Sequence, residues 1–258
     1  LATDEEKDSL ALYSGWGAAA SELASLDVPE KMALIQSTGS AFYTPPEGID
    51  ALWAAALKAG FSGGTVLEAG AGVGWLLARM PDSLRATSRV VAVEREPHAA
   101  RILQVLHPDA DVLMCDFKIA PVAPESVDLV IGNFPFGSES MRDGRYPVSG
   151  LHDYFLMHSM SKLKPGGVMV VLTSTYTLDS LSASVRKHVQ THQGADLLAA
   201  VRLPTGLFVG TDVAVDCLVL RRRLPNEAAR DASWVNSKRG TTEGGTEFSY
   251  NASASWKN

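Results

Sequence analysis

The chain has 258 residues, of which 46% are hydrophobic and 20% charged, and its formal net charge at pH 7 is −6. These values are ordinary for a globular protein with a substantial core. No apolar run approaches the roughly 18 residues of a membrane span, and the acidic balance argues against a protein that coats nucleic acid non-specifically.

Other features of composition bear on compartment and completeness. The N-terminus is acidic and lacks a secretion signal, and Cys115 and Cys217 lie in apolar runs without zinc spacing. We therefore expect a cytoplasmic protein with buried, reduced thiols and no metal. The first residue is Leu1 rather than Met, which leads us to expect a piece of a longer protein. Residues 221–258 are basic, with seven Lys/Arg and four Asp/Glu.

Three segments follow one another along the chain. Residues 1–42 are predicted to form polar helices, interrupted by a glycine-aromatic turn at YSGWG (13–17), and we treat them as an N-terminal helical extension. Residues 43–222 form the predicted main domain. Residues 223–258 have the composition of a linker and are predicted to be a flexible tail with little fixed structure.

The main domain opens with a strong helix-start signal. Thr44 can act as the N-cap, while Pro45 and Pro46 suit the first turn of a helix. Glu47 stabilises the positive end of the helix dipole. A helix is therefore predicted from this point to about residue 60.

From residue 64 onward, apolar strand-like runs alternate with helical segments. The expected strands are 65–69, 89–94, 111–116, 127–133, 167–174, 195–204 and 212–222. Strands that are apolar on both faces and separated by helices predict a parallel sheet between two helical layers. The last two runs have no helix-length spacer, so the last strand should be antiparallel. We predict a Rossmann-like α/β fold with a mostly parallel seven-stranded sheet and helices on both faces.

A glycine-rich loop, EAGAGVG (68–74), follows the first strand and opens a helix. Its glycines let the backbone approach a ligand closely; they are Gly70, Gly72 and Gly74. Such a loop occurs in binders of nicotinamide, flavin and S-adenosylmethionine (SAM). The dinucleotide fingerprint places a third glycine where this chain has Trp75. A tight structural turn is the alternative, and the loop favours SAM among the ligands.

Acidic residues end the first three strands. Glu68 lies at the end of the first strand, where its negative charge would repel the pyrophosphate of a dinucleotide but is compatible with the positively charged sulfonium of SAM. Glu94 closes the second strand and can accept both ribose hydroxyls. Asp116 can accept from the adenine amine and Phe117 can stack on the ring, although an Asp-initiated turn would also explain this pair.

The fourth strand ends in VIGNFPFG, and its carboxyl end should face the same crevice. An amide oxygen of Asn133 and the backbone carbonyl of Phe134 could each accept an N–H of an aromatic amine and stabilise its developing charge. Pro135 stiffens the turn and Phe136 offers a face for a planar base, worth roughly 1–3 kcal/mol. Taken alone, the segment is more typical of a strand that ends in an Asn turn beside core aromatics, and the glycine loop is what favours the functional interpretation.

The ordered set of motifs resembles one family. Over about residues 40–222 the chain is similar to N6-adenine DNA methyltransferases of the amino-methylase group in YTPPE, ExGxGxG, a strand-ending Glu, the DF pair and NxPFG. The segments YSGWG, IGNFPFG, LHDYF and VRLP look like those of large phage- and plasmid-borne proteins that fuse such a methylase to a helicase-type ATPase. The departure is Phe134, where the family usually has proline.

The resemblance implies a class I SAM-dependent methyltransferase and a set of contacts. SAM would be bound by Thr44 at its carboxylate, by Glu68 and Gly70 to Gly74 at its methionine part, by Glu94 at its ribose, and by Asp116 and Phe117 at its adenine. The target base would be bound by Asn133, Phe134, Pro135 and Phe136. It further implies DNA as a partner, contacted in part through regions outside this chain, a fused helicase-type ATPase, and no membrane or metal.

The loop after the catalytic turn could contact the substrate. Arg142, Arg145 and Tyr146 could contact the phosphates beside a flipped adenine. Glu139 and Asp143 offset that positive charge, and a solvated loop is an equal alternative.

Two other functions stay open. One is a methylase of an rRNA base or a protein glutamine, which uses a similar turn. The other is a SAM-binding module without catalysis.

Overall fold

The computed structural model describes residues 2–13, 44–136, 140–206, 214–242 and 246–252. The described strands are β1 (Gly64–Ala69), β2 (Ser88–Glu94), β3 (Asp111–Met114), β4 (Val127–Asn133), β5 (Ser140–Met141), β6 (Ser149–Gly150), β7 (Leu163–Ser174), β8 (Ala195–Arg202), β9 (Val215–Arg222), β10 (Lys238–Thr241) and β11 (Glu247–Tyr250). The described α-helices are α1 (Asp4–Ala11), α2 (Pro46–Lys58), α3 (Trp75–Ala78), α4 (Asp82–Arg85), α5 (Pro97–Leu106), α6 (Leu151–Met160), α7 (Tyr176–Asp179) and α8 (Ser184–Lys187).

One large sheet organises the described part of the chain. Its seven strands follow the order β3-β2-β1-β4-β7-β9-β8. β9 is antiparallel to both of its neighbours, and the other six strands are parallel to one another. The predicted fold class is confirmed, including the antiparallel orientation of β9, the last of the seven strands in chain order.

Helices cover both faces of this sheet. Successive residues of β4 point to opposite faces: Leu129 and Ile131 join one apolar layer with α2, α3 and α5, whereas Val130 joins the other with α6. All three are fully buried. This is why the central strands are apolar throughout rather than alternating.

The start of α2 differs from the prediction. Thr44 does not cap the helix. The N-cap is Pro45, which is extended (φ −65°, ψ 156°) and makes no side-chain cap hydrogen bond. The ring of Pro46 disfavours helical geometry in the residue before it, so the helix begins at Pro46 itself. Thr44 is buried instead.

The end of the chain also differs from the prediction. Within residues 223–252, the described part contains a 3₁₀ turn at Ser233–Val235 and the β10–β11 hairpin. Trp234 is 1% exposed, and Asn251 Nδ2 donates to its carbonyl at 2.7 Å. Arg186, also buried, donates from Nε to the carbonyl of Val235 at 2.7 Å. The prediction of little fixed structure is wrong for these residues.

The predicted N-terminal extension is described only through residues 2–13, which contain α1; its remainder, and YSGWG beyond Tyr13, lie outside the described residues. No helix in the described ranges is long and apolar enough to cross a membrane.

Candidate active site

A cavity of about 160 Å³ lies at the carboxyl ends of the central parallel strands. Parallel sheets of this kind bind ligands at that edge, where the strand order reverses around β1 and β4. Most of the residues predicted from the sequence to bind cofactor or target line it; they are Thr44, Glu68, Gly70, Gly72, Glu94, Asp116, Phe117, Asn133 and Pro135. The structure therefore brings together residues that span 92 positions of the chain.

Gly74 was predicted to bind the cofactor but does not line the cavity. Its φ is +87°, and a Cβ placed there would lie 2.5 Å from side-chain atoms of Leu103 and His107. Gly74 is thus needed for close packing between the start of α3 and the end of α5. The glycine pattern in the sequence cannot distinguish this packing role from ligand contact.

The carboxylate of Glu94 fixes the glycine loop. Its two oxygens accept from the backbone N–H groups of Gly72 at 2.8 Å and Glu96 at 2.7 Å. Burial raises the pKa of Glu94, and these two backbone hydrogen bonds oppose that rise. The side chain therefore shapes the loop that would hold a ligand, and it also faces the cavity.

Glu68 lies at the end of β1 and is 4% exposed. Among the residues that the structure describes, its Oε2 has no hydrogen-bond partner. Burial, and secondly the charge of Glu94, raise the pKa of Glu68 well above its usual range. An unsatisfied buried carboxyl at a cavity wall is suited to a ligand that brings a positive charge or a hydrogen-bond donor.

Asp116 and Phe117 combine a local role with a place in the cavity wall. Asp116 Oδ1 accepts from the backbone N–H of Lys118 at 2.8 Å, so it starts a 3₁₀ turn. The ring of Phe117 is buried against Phe155 and His158, with centroid distances of 5.1 and 4.7 Å. The Asp-initiated turn considered from the sequence is present, and the pair lines the cavity as well.

The segment after β4 is anchored on both sides. The backbone N–H of Phe134 donates to the carbonyl of Leu172 on β7 at 3.0 Å. Its ring is fully buried and lies 5.7 Å from the ring of Phe155. Pro135 faces the cavity, whereas Phe136 packs against the apolar layer of α2 and does not line it. The Phe134 side chain thus anchors the turn in the core.

The three residues predicted to grip phosphates lie outside the cavity lining. Arg145 binds Asp143 through two hydrogen bonds, Nε to Oδ1 at 2.9 Å and Nη2 to Oδ2 at 2.6 Å. This pairing lowers the pKa of Asp143 and raises that of Arg145. The hydroxyl of Tyr146 lies 3.1 Å from His158 Nδ1 on α6. Arg142 is exposed.

Sequence reasoning missed several residues that line the cavity. Tyr13 and Glu96 are joined by a hydrogen bond of 3.1 Å between the tyrosine hydroxyl and Oε2. Tyr154 and Phe155 contribute one face of α6. The only signal for Glu96 was an acidic residue directly before Pro97, where it caps α5. The partner of Glu96 is 83 residues away, and no sequence pattern connects the two.

The sheet order and the glycine loop after β1 define the class: this is the fold of class I SAM-dependent methyltransferases. The family described as N-6 DNA Methylase matches residues 104–245. Since that match covers more than half of the chain, the chain belongs to the N-6 DNA Methylase family.

Individual relatives agree with this assignment. The chain is 32% identical over 242 residues to "Defense against restriction protein B" of Escherichia phage P1, covering 91% of this chain and 10% of that protein. The type I restriction-modification methyltransferase subunit of Streptococcus thermophilus has a TM-score of 0.62 at 20% identity, over 81% of this chain and 53% of that one. A putative class I SAM-dependent methyltransferase of Listeria monocytogenes has a TM-score of 0.61 at 17% identity, over 86% and 72%. The chain spans about a tenth of the phage protein's length.

SAM is therefore the cofactor of this chain, and the cavity fits it. SAM carries an ammonium and a sulfonium group, and the unsatisfied Oε2 of buried Glu68 would accept from or neutralise a cation. The glycine loop leaves room for close approach of the backbone, with φ of +78° at Gly70 and +56° at Gly72. The acidic wall is suited to a cationic ligand rather than to a pyrophosphate.

Proposed function

We propose that this chain is the catalytic unit of a DNA methyltransferase that methylates the exocyclic N6 amine of adenine, with the target base flipped out of the duplex and held by residues 133–136. The observation that carries the proposal is the position of Asn133. It ends β4 and lines the same cavity as Glu68 and Glu94. Membership of the N-6 DNA Methylase family agrees with this chemistry.

The chemistry required at this position is the activation of a weak nucleophile. The lone pair of an aromatic amine is delocalised into its ring. The Asn133 amide oxygen and the Phe134 carbonyl oxygen would each accept one N–H, favouring a pyramidal nitrogen and stabilising its developing positive charge. When bound, SAM supplies an electrophilic methyl group and departs as a neutral thioether. No strong base is needed, because the amine proton becomes acidic as the N–C bond forms.

Rigidity of the turn supports this role. The Phe134 N–H bonds to Leu172 on β7, and the Phe134 ring is fixed against Phe155. Pro135 restricts the backbone directly after this anchored residue. A rigid pair of acceptors costs little reorganisation during the reaction, which is how positioning accelerates it.

The other predicted contacts extend the proposal. Cofactor contacts are assigned to cavity-lining residues: Thr44, Glu68, Gly70, Gly72, Glu94, Asp116 and Phe117. Stacking of the base on Phe136 and a phosphate contact by Arg142 stay predictions, since neither residue lines the cavity.

Mass spectrometry tests the proposal directly. Unmethylated DNA is incubated with the chain and SAM, digested to nucleosides and analysed for N6-methyladenine. We expect product from the wild type, a loss of about 10²–10³-fold in Asn133→Ala, and no loss in Asn236→Ala, the same change at an exposed asparagine outside the cavity. Isothermal titration should show that Asn133→Ala still binds SAM. Equal product from Asn133→Ala and wild type would falsify the proposed role of Asn133.

One observation favours a substrate other than DNA. Arg145 is already paired with Asp143, so its charge is largely neutralised before any phosphate arrives. A methylase of protein glutamine needs no phosphate contact. Incubating the chain and SAM with RNA, or with glutamine-containing peptides, in place of DNA distinguishes these substrates. Methylation of peptide but not DNA would replace the adenine proposal, and SAM binding without turnover on any substrate would indicate a non-catalytic module.

A further inference from the structure

Tyr13 lies at the rim of the cofactor cavity, although it precedes the main domain. Its side chain is among the residues that line the cavity. Its hydroxyl donates to Oε2 of Glu96 at 3.1 Å. Glu96 is 4% exposed, and its carboxylate also accepts from the backbone N–H groups of His98 and Ala99 at the start of α5. Tyr13 is therefore tied to a fixed carboxylate two residues beyond Glu94.

A second contact holds the same segment at the cavity. Trp75, which also lines the cavity, donates from Nε1 to the carbonyl of Ala11 at 2.9 Å. The helix α1 lies against α5 but buries none of its own residues. An isolated helix of eight residues is unstable in water. The placement of residues 2–13, called here the N-terminal strap, thus depends on residues that form the cofactor site.

The position of Tyr13 indicates which end of the cofactor it would meet. Glu94 ends β2 and Glu96 follows two residues later, whereas Asn133 ends β4, and β1 lies between those two strands. The reacting methyl group belongs at Asn133, an assignment that rests on the proposed function. Glu68 on β1, with its unsatisfied Oε2, is assigned to the cationic methionine part. The end of the cavity beside Tyr13 is then left for the nucleoside part of the cofactor.

We propose that Tyr13 is a cofactor-binding residue: its ring contacts the ribose–adenine part of SAM, and the N-terminal strap covers that end of the cavity. The nucleoside is unchanged by methyl transfer. Tyr13 should therefore bind SAM and S-adenosylhomocysteine equally, so its loss should raise KM for SAM and leave kcat unchanged.

Ligand truncation tests this assignment in binding alone. Isothermal titration on the full chain would compare SAM, S-adenosylhomocysteine and 5′-methylthioadenosine, which lacks the amino-acid part. Tyr13→Ala should weaken all three by about tenfold, the loss expected for one aromatic contact with a base. Tyr13→Phe keeps the ring and loses only the hydrogen bond to Glu96, so it should weaken them by about threefold.

Two control variants separate this effect from others. Leu12→Ala alters the neighbouring residue, which is 79% exposed and does not line the cavity, and should leave all three affinities unchanged. Glu68→Gln should weaken SAM and S-adenosylhomocysteine but not methylthioadenosine. Hydrogen exchange adds an independent readout: SAM should slow exchange of the α1 amides in the wild type and not in Tyr13→Ala, because coupling between strap and cofactor is reciprocal.

The outcomes are distinguishable. Wild-type affinities in Tyr13→Ala for all three ligands would overturn the role of Tyr13 and leave the methyltransferase assignment intact. Weakened binding of SAM and S-adenosylhomocysteine, but not of methylthioadenosine, would overturn the placement at the nucleoside end. A wild type that binds none of the three would overturn the cofactor assignment, and this inference with it.

Discussion

Glu68 shows how one buried carboxyl links stability to ligand binding. Its pKa in the folded protein is raised well above 4.5 by burial and by Glu94. The unfolded chain loses this proton above about pH 4.5, while the folded protein keeps it. The free energy of unfolding of the cofactor-free protein should therefore fall as the pH rises from 4.5 through the folded pKa.

We predict opposite effects of Glu68→Gln on stability and on binding. Glutamine resembles the protonated carboxyl, so without SAM the variant should match the wild type near pH 5 and melt at a higher temperature at pH 8. SAM affinity should fall by about tenfold or more, because a hydrogen bond to a charged group is lost. Thermal melts at the two pH values and titration with SAM measure both effects. A gap in melting temperature that does not widen with pH would contradict the assignment.

His158 has the reverse dependence on pH. It is 1% exposed and stacks on Tyr154 with a centroid distance of 5.4 Å. Burial, and then the charges of Lys162 and Arg145, lower its pKa from 6.5 to about 4. Between pH 6.5 and about 4, His158 is protonated in the unfolded chain and neutral in the folded protein. The free energy of unfolding should therefore fall as the pH drops from about 6.5 to 4.

A matched pair of variants isolates this group. His158→Gln should have a shallower dependence of unfolding free energy on pH between 4.5 and 6.5, the difference approaching at most about 1.4 kcal/mol per pH unit for one proton. Urea unfolding at several pH values measures the slope. Gln104→Ala removes an exposed side chain that does not titrate and should keep the wild-type slope. If the His158 variant also keeps it, the buried neutral histidine is the wrong explanation.

Gly74 differs from the glycines that face the cavity. Gly74→Ala places a Cβ 2.5 Å from Leu103 and His107 at a φ of +87°. We expect a loss of about 2 kcal/mol or more in the free energy of unfolding, from overpacking and backbone strain. SAM affinity of the folded variant should change little. Gly144→Ala, with nothing within 4 Å of the added atom, should have no effect in the same urea titration.

At the scale of elements, the segment after β9 belongs to the folded domain. Its Trp234 is buried, Asn251 bonds to the carbonyls of Trp234 and Leu178, and Arg186 reaches the carbonyl of Val235. A hydrophobic anchor and several buried hydrogen bonds would be lost together without it. The boundary predicted at residue 222 therefore falls inside the unit that packs.

Shortening the chain at two positions tests this boundary. A chain ending at residue 222 should melt about 10 °C or more below the full chain, since removal of a buried tryptophan alone costs about 3–5 kcal/mol. A chain ending at residue 252 keeps every described contact and should melt with the full chain. Calorimetry on both decides the matter; an unchanged melting temperature at 222 would restore the boundary predicted from the sequence.

The features that the sequence predicts are local in the chain, whereas the features that it misses join residues that are far apart or lie in irregular segments. The strands and the glycine loop follow from local periodicity, and β4 was placed to the residue, from Val127 to Asn133. The missed features join distant or irregular segments. Tyr13 meets Glu96 across 83 positions. Trp234 and Val235 are a short apolar pair in an otherwise largely polar stretch. No pattern of period 2 or 3.6 marks such contacts, so they appear only once the chain has folded.

At the scale of the whole molecule, the net charge limits the affinity of this chain for DNA. The net charge is −6, and several arginines are already paired with carboxylates. Arg145 is bound by Asp143, and Arg202 by Asp216 and Asp179. Affinity for DNA comes largely from cations that neutralise phosphates. An acidic surface with paired arginines offers few of them.

We therefore predict that the isolated chain binds duplex DNA weakly even while it binds SAM. Fluorescence anisotropy at 0.15 M salt should give a Kd no tighter than about 10 µM, and log K should fall with log salt with a slope no steeper than about −2, because few phosphates are neutralised. Asp143→Asn releases Arg145; if DNA passes beside this loop, the slope should steepen by about one. A wild-type slope of about −4 or steeper, with a submicromolar Kd, would contradict the prediction. The chain would then carry a DNA-binding surface of its own.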